Sequence, residues 1–427
     1  MKLLIKNGYI IDSDNDGKAD VLVEDGVIKE VRPGIDESMA DELIDASGRY
    51  VMPGFIDLHV HFREPGYTHK ETVRTGSRAA AKGGYTSVFC MPNTKPVIDS
   101  AREYKNLMDI IERDAVVNVY PVGAVTKGQQ GKELADIEEM ASLGMKAISE
   151  DGKSVMDSGV YRRAMEIAGK AGITVFAHCE DINLVQGGVM NMGDRADELG
   201  FKGISNAVED IIAARDILLA KETGTRLHLC HCSTRDSVYM LKCAKKEGLA
   251  VSGEVCPHHF TLADEDIKSD DANYKMNPPL RSRKDVAALK EGIQKGYIEV
   301  ISTDHAPHSR EEKAQSMEKA PFGIVGLETA FALAYTELVK PGLITLKRLV
   351  ECMSSNPAKI AGIEKGMIKE GKDADITIAD IDEEYVIDSS KFESMGKNTP
   401  FNGFRVNGKV VATIVGGKIV YNETKII

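Results

Sequence analysis

The chain has 427 residues, of which 42% are hydrophobic and 28% are charged, as expected of a soluble globular protein. Its 54 basic and 66 acidic residues give a formal net charge of −12, which argues against nucleic acid or an anionic membrane as a partner. The odd count of seven cysteines and the lack of an apolar leader or membrane-spanning stretch predict a cytoplasmic protein without disulfides.

Short apolar segments separated by tight turns occur at both ends of the chain. Residues 1–52 include the hairpin signal Asp25-Gly26, and residues 366–427 include a strand-like segment at 410–415. Neither end has enough apolar surface to form a core alone. We therefore predict a small β-sandwich domain built from residues 1–52 and 366–427, with a catalytic domain of residues 53–365 inserted between them.

Between the two ends, apolar strand-like segments alternate with helix-compatible segments. The eight predicted strands span residues 55–61, 86–91, 116–122, 145–148, 173–178, 226–231, 249–255 and 298–304. Segments such as 133–143 and 208–222 fit the intervening helices. Eight successive βα units predict an α/β fold of the (β/α)₈ TIM-barrel type. Polar residues at the C-terminal ends of most strands favour this barrel over a doubly wound open sheet.

The first predicted strand runs into the sequence DLHVHFR, residues 57–63. Side chains alternate on a strand, so His59, His61 and Arg63 are expected on one face. Two neutral imidazoles there suit a zinc-class ion, and a guanidinium suits a substrate carboxylate. Two core histidines with backbone partners are the alternative, which the added Arg63 makes less favoured. For Asp57, an orienting role and a buried structural role are equally open.

Further ligand-type side chains follow four other predicted strands. In strand order they are Asp151, His178, His231 and Asp304. Together with the two histidines of the first strand, they are enough for two metal ions if one carboxylate bridges them. Such a pair would hold a hydroxide as the nucleophile. Asp304 would then act as general base and acid, exchanging a proton with the attacking water and the leaving nitrogen.

Other polar residues near these strand ends have both a structural and a functional interpretation. Asn93 and Asn277 lie in turns where asparagine is common, yet an amide beside a metal also suits an imide ring. His308 could donate to an anion, and the Phe322-Gly323 backbone offers exposed polar groups. The segment 309–319 is expected to be a solvated loop or a lid.

Several cysteines and histidines near the strand ends are not expected to be ligands of the main site. Alternation places Cys230 and Cys232 opposite His231, so we expect them to pack between strand and helix. His258 and His259 are candidates for a supporting role beside the metal ligands.

At these residues the chain resembles the dihydroorotases of the bacterial type I form, within the amidohydrolase superfamily. The resemblance runs nearly end to end and rests on PGFIDLHVHFREPG (residues 53–66) and TDHAPH (residues 303–308), followed by Lys313. It implies zinc-dependent, reversible hydrolysis of the cyclic amide of (S)-dihydroorotate to N-carbamoyl-L-aspartate, in pyrimidine (UMP) biosynthesis.

The resemblance also implies which residues hold the metals. One zinc would be bound by His59, His61 and Asp304, the other by His178 and His231, with Asp151 bridging the two. Many relatives bridge their metals with a carboxylated lysine instead. Here Lys146 and Lys153 lie near the end of strand four, but Asp151 fits the type I pattern better.

The substrate contacts and partners implied by the resemblance follow the same pattern. The substrate would be contacted by Arg63, Asn93 and His308 at its carboxylate, by Asn277, Phe322 and Gly323 at its ring, and by His61. The implied partners are this small-molecule substrate, a second copy of the chain in a homo-oligomer such as a dimer, and aspartate transcarbamoylase, with which some relatives associate.

Two alternatives belong to different classes of protein. A related cyclic amidase, such as a hydantoinase, dihydropyrimidinase or allantoinase, would have no use for Arg63, because its substrate lacks a carboxylate at that ring position. A non-catalytic scaffold paralogue would have lost metal ligands, whereas this chain keeps all six.

Overall fold

The computed structural model describes residues 2–424. The N-terminal strands are β1 (Lys2–Ile11), β2 (Asp16–Glu24), β3 (Val27–Arg32), β4 (Glu42–Asp45) and β5 (Tyr50–Pro53). The central strands are β6 (Phe55–Val60), β7 (Tyr85–Cys90), β8 (Asn118–Pro121), β9 (Gly123–Ala124), β10 (Ala147–Ser149), β11 (Thr174–Ala177), β12 (Met190–Asn191), β13 (Gly203–Ile204), β14 (Leu227–Leu229), β15 (Val251–Val255) and β16 (Val300–Ile301). The C-terminal strands are β17 (Ile376–Val386), β18 (Arg405–Val415) and β19 (Lys418–Asn422).

Most central strands are followed by helices. The α-helices are α1 (Val73–Lys82), α2 (Ala101–Asp114), α3 (Ile137–Ser142), α4 (Ser158–Ala171), α5 (Ile182–Val185), α6 (Asp194–Leu199), α7 (Ala207–Thr223), α8 (Arg235–Lys246), α9 (Pro257–Thr261), α10 (Arg283–Gln294), α11 (Arg310–Lys313), α12 (Ala330–Ala334), α13 (Leu346–Val350) and α14 (Asn356–Ala361). Local sequence sets their ends: the Ser100 hydroxyl caps α2, and α4 ends at Gly172 in the left-handed conformation. None of the helices between residues 2 and 424 is both long and apolar enough to cross a bilayer.

The two ends of the chain share one eight-stranded sheet, in the order β19-β18-β17-β5-β1-β2-β3, with β4 paired to β1. The junction is β5, which pairs in parallel with β1 and antiparallel with β17. Buried side chains from both ends, such as Leu3 and Val21 with Ile376 and Ile414, pack in one cluster. Because these side chains are buried against one another, each end of the chain depends on the other for its apolar core.

The central strands are parallel and alternate with helices, so the fold is α/β. They form one sheet in the order β6-β7-β8, another in the order β16-β15-β14-β11-β10-β9 and a separate pair, β12-β13. Only Val122 separates β8 from β9, and its N–H donates to the Cys90 carbonyl at 2.9 Å. At the other edge, Val60 forms a parallel bridge with His305. The C-terminal ends of these strands therefore lie beside one another.

Several strands are shorter than the sequence predicts, because the chain turns as it reaches their C-terminal ends. The eighth predicted strand, residues 298–304, is a regular strand only over β16. Asp304 adopts a φ of 48° and His231 a φ of 33°, in the left-handed region that residues other than glycine rarely occupy. Functional sites are where such strain concentrates in proteins.

We expect Thr413→Val to lower the free energy of unfolding by about 0.5–1.5 kcal/mol, because one buried hydrogen bond is lost while the Ala81 carbonyl keeps the Gly84 N–H as a donor. The Thr413 hydroxyl, on β18, donates to the Ala81 carbonyl of α1 at 2.7 Å, and a second buried threonine, Thr377, donates to Gly84 at 2.6 Å. Denaturant unfolding measures the change. The control is Thr68→Val at an exposed threonine; an equal loss there would mean that the hydrogen bond contributes nothing specific.

Candidate metal centre and substrate pocket

Asp151 lies at the centre of the predicted ligands. Its Oδ1 is 3.1 Å from His59 Nε2, 3.4 Å from His178 Nδ1 and 3.7 Å from His231 Nε2. Its Oδ2 is 3.4 Å from His61 Nε2. All five side chains are buried. Four imidazoles thus direct a ring nitrogen at one carboxylate that follows β10.

Asp304 completes the group from the opposite side. Its Oδ1 lies 3.0 Å from His61 Nε2 and 3.6 Å from His59 Nε2. The structure therefore brings together all six ligands predicted from the sequence. Two sets of potential ligands, each with its atoms within 4.8 Å of one another, share a single member. The sets are His59, His61 and Asp151, and Asp151, His178 and His231.

The donor atoms fit zinc-class ions. Imidazole nitrogens and carboxylate oxygens are the ligands that such ions take in catalytic sites. His59 Nε2 is buried and makes no well-aligned hydrogen bond, although Asp151 Oδ1 lies 3.1 Å away; a cation held by both atoms would satisfy them. The nitrogens His178 Nδ1 and His231 Nε2 lie only 2.9 Å apart, a distance at which two lone pairs repel unless a proton or cation lies between them.

Three of the histidines are oriented by hydrogen bonds from their outer ring nitrogens. These bonds join His59 Nδ1 to Glu254 Oε1 at 3.2 Å, His61 Nδ1 to Asn93 Oδ1 at 2.9 Å and His178 Nε2 to Glu180 Oε2 at 3.0 Å. Each acceptor fixes the proton on the outer nitrogen and leaves the inner nitrogen as a lone-pair donor. Outer partners of this kind are typical of metal-ligating histidines.

Glu180 and Glu254 are supporting residues that the sequence analysis missed. Glu254 is fully buried and also accepts from His228 at 3.0 Å and from Ser302 at 2.6 Å. Burial alone would raise the pKa of Glu254, but the hydrogen bonds from His228 and His59 lower it, so that it is a carboxylate. The sequence did contain a signal for Glu254, because a carboxylate inside an apolar strand needs a polar partner.

Asp57 joins the first and last parallel strands immediately before their ligands. It accepts from the His59 backbone N–H at 3.0 Å and from the Thr303 hydroxyl at 2.6 Å. Burial raises the pKa of Asp57 to about 7. These contacts position the backbones that carry His59 and Asp304, which favours the orienting role over a purely structural one.

A cavity of about 160 Å³ opens beside the predicted ligands. Its lining comprises His61, Arg63, Asn93, Asp151, Gly152, His178, His231, Asn277, Asp304, Ala306, Phe322 and Gly323. Every predicted site residue lines it except His59, which lies behind Asp151, and His308. A larger cavity of about 340 Å³ lies beside Lys82 and Tyr385; none of the four candidate metal-ligand groups lies in its lining.

Arg63 places an unneutralised positive charge on the cavity wall. Its Nε donates to the Pro307 carbonyl at 3.2 Å, and its backbone adopts a φ of 62°. Within residues 2–424, no carboxylate lies within ion-pair distance of its guanidinium. A half-buried guanidinium without an ion-pair partner in this part of the chain can receive an anionic group of a ligand.

His308 does not line the cavity but contacts residues next to it. Its Nε2 donates to the Phe322 carbonyl at 2.8 Å, and its Nδ1 lies 3.3 Å from Lys70 Nζ. Burial and the charge of Arg63 hold the pKa of His308 well below its usual range, so the ring is neutral. In this arrangement both ring nitrogens are already engaged.

The Phe322-Gly323 side of the cavity is held in place by the buried amino group of Lys313. Lys313 Nζ donates to the carbonyls of Gly323 at 2.9 Å, Pro321 at 3.1 Å and Lys275 at 3.2 Å. Burial, followed by repulsion from Lys275, lowers the pKa of Lys313 to about 7. Part of segment 309–319, expected to be solvated, is thus the helix α11 with an anchored lysine.

Asn398 connects the two sides of the cavity and was not found by sequence reasoning. Its Nδ2 donates to the carbonyls of Ala306 at 3.1 Å and Gly323 at 3.0 Å, and its Oδ1 accepts from the His308 backbone at 3.1 Å. It lies on a loop about 90 residues further along the chain, and no local pattern marks it.

The comparisons with known proteins agree with this geometry. The dihydro-orotase-like family matches residues 48–237, and the amidohydrolase family matches residues 284–421. The dihydroorotase of Pelotomaculum thermopropionicum is 49% identical over 425 residues, and that of Acetivibrio thermocellus is 47% identical over 423 residues; each alignment covers 99% of both chains.

A solved structure also matches over the full length. The L-hydantoinase (dihydropyrimidinase) of Arthrobacter aurescens has a TM-score of 0.89 and 28% identity, and the match covers 100% of this chain and 97% of that one. The chain is thus an amidohydrolase, an enzyme that hydrolyses cyclic amides. More narrowly, it belongs to the dihydroorotase family, which confirms the resemblance found in its motifs.

We expect Glu254→Gln to weaken metal binding by about 10–100-fold, because the partner that orients His59 loses its charge. Titration of metal-free protein with zinc in the presence of a chromophoric chelator measures the affinity. The control is Glu247→Gln at an exposed position of the same type. Unchanged affinity in Glu254→Gln would show that this carboxylate does not support the metal centre.

Proposed function

We propose that the protein catalyses the reversible hydrolysis of (S)-dihydroorotate to N-carbamoyl-L-aspartate, in pyrimidine biosynthesis. The observation that carries the proposal is the presence of Arg63, without an acidic partner, in the same cavity as the candidate metal ligands. A dihydroorotate molecule offers one carboxylate and one cyclic amide, which correspond to these two features. Full-length identity of 47–49% to proteins named dihydroorotase supports the same substrate.

The proposal includes two zinc ions per subunit. The ligands are His59, His61 and Asp304 for one ion and His178 and His231 for the other, with Asp151 shared. Two ligand sets that have Asp151 in common support this division. Lys153 donates to the Gln129 carbonyl at 3.2 Å, which favours Asp151 over a carboxylated lysine as the bridge. Such ions polarise a carbonyl and lower the pKa of a coordinated water.

The chain's own residues supply positioning and proton transfer. Asp304 is on the cavity wall, where its carboxylate can take a proton from the attacking water and return it to the leaving nitrogen. Arg63, with Asn93 beside it, holds the substrate carboxylate. Asn277 and the Phe322-Gly323 backbone hold the amide ring.

The inference extends to the architecture. We infer that the parallel strands close into a (β/α)₈ barrel of residues 53–365, with residues 1–52 and 366–427 as the small β-sandwich domain. The His61 N–H donates to the His305 carbonyl at 2.9 Å, which joins the first strand to the last. A cytoplasmic location agrees with seven free cysteines. A homo-oligomer and an association with aspartate transcarbamoylase stay predictions.

The second candidate function is that of a hydantoinase or dihydropyrimidinase. Solved structures bearing those names share the fold at 24–28% identity. Arg63 favours the first, because a substrate without a carboxylate has no negative charge to pair with a guanidinium.

We expect Arg63→Met to lower kcat/KM for dihydroorotate by about 100-fold or more, equivalent to about 3 kcal/mol for a lost charge-assisted contact. Hydrolysis of dihydrouracil, which lacks the carboxylate, should change little. Steady-state kinetics with both substrates measures the difference, and Arg78→Met at an exposed position is the control. Faster turnover of dihydrouracil than of dihydroorotate by the unmodified protein would favour the second candidate function.

We expect Asp304→Asn to reduce kcat by about 10²–10⁴-fold, because the amide cannot accept the proton that general acid–base catalysis requires. Single-turnover kinetics measures the step, and metal analysis of the same sample verifies that the ions are retained. A variant that keeps its metal and a tenth of its activity would place the proton carrier elsewhere.

A further inference from the structure

A second cluster of ligand-type side chains lies outside the proposed dinuclear site. It is formed by Cys256, His258 and His259, at the end of β15 and the start of α9. One potential ligand atom from each lies within 4.8 Å of the others, and all three side chains are at least 98% buried. None of them lines the cavity described above.

Two nitrogens of this cluster are buried without a partner. They are His258 Nε2 and His259 Nδ1. The other nitrogen of His259, Nε2, donates to the Pro278 carbonyl at 2.9 Å, which requires Nδ1 to be a lone pair. A buried polar atom without a partner costs about 1–3 kcal/mol, so its position needs a physical reason.

The chemical state of the ligands also suits a metal. A histidine that donates one N–H to a carbonyl and directs the other nitrogen at a shared space has the arrangement of a metal ligand. One sulfur and two imidazoles favour zinc-class ions over magnesium or calcium.

We propose that Cys256, His258 and His259 bind one zinc-class ion in addition to the ions of the dinuclear site. Tetrahedral coordination requires donor atoms about 3.4–3.8 Å apart, and the three present atoms lie within 4.8 Å of one another. Binding replaces the thiol proton of Cys256, which passes to solvent. The ion would fix α9 against the turn at Pro278, next to the pocket residue Asn277.

The test is cobalt substitution, because the two kinds of site differ in sulfur. The ligands proposed for the dinuclear site include no cysteine, so a thiolate-to-cobalt charge-transfer band reports on a cysteine site alone. We expect the cobalt-loaded protein to show this band. We expect Cys256→Ser to lose the band and to bind one metal equivalent fewer by elemental analysis. Neither readout depends on turnover of dihydroorotate.

Two controls locate the sulfur. Cys230 lies near His59 and Glu254, so a band lost in Cys230→Ser but kept in Cys256→Ser would overturn the proposal. Cys243→Ser, at a half-buried cysteine, should change neither readout. Absence of the band in the unmodified protein, or equal metal content in Cys256→Ser, would also overturn it. If Cys256→Ser does not fold, His258→Gln must lose the same metal equivalent.

Discussion

The convergence of four imidazoles on Asp151 depends on what holds their outer nitrogens. An imidazole is symmetrical enough to present either nitrogen, and a buried ring with the wrong tautomer would direct a proton at the carboxylate. Glu254 fixes this choice for His59 at 3.2 Å, and Glu180 fixes it for His178 at 3.0 Å. The orientations of His59 and His178 therefore rest on two carboxylates outside the set of predicted ligands.

The backbone segments that carry the predicted ligands must also be held in fixed positions relative to one another. Parallel strands bring their C-terminal ends to one edge, but the side chains converge only if neighbouring ends are also held in register. Asp57 does this between the first and last strands, by accepting from the backbone of His59 and from Thr303. Asn398 does it for the loops on which Gly323 and His308 lie. The strained backbone at Asp304 is sustained by these surrounding contacts.

Sequence periodicity predicted the site residues that lie on or next to regular strands. It failed for residues beyond the strand ends, where the chain turns. His59 and His61 could be placed together because β6 contains His59 and ends one residue before His61. The same alternation argument holds only in part for Cys230: the residue packs in an apolar cluster, but it also lies near His59 and Glu254, because β14 ends at Leu229 and no strand geometry holds beyond it. Asn398 could not be predicted at all, since its role comes from the path of a distant loop.

The comparison with hydantoinases shows which features set the substrate and which set the fold. A chain 28% identical keeps nearly the same backbone, with a TM-score of 0.89, so neither the strands nor the helices distinguish the two substrates. The difference must lie in side chains that face the cavity. Arg63 follows the His-x-His ligands on a left-handed turn with a φ of 62°, where its charge has no acidic partner within residues 2–424. A half-buried charge loses part of its solvation in the free state, and a bound carboxylate would compensate for that loss. The proposed preference for an acidic substrate therefore rests on this one guanidinium, which a bound carboxylate would neutralise.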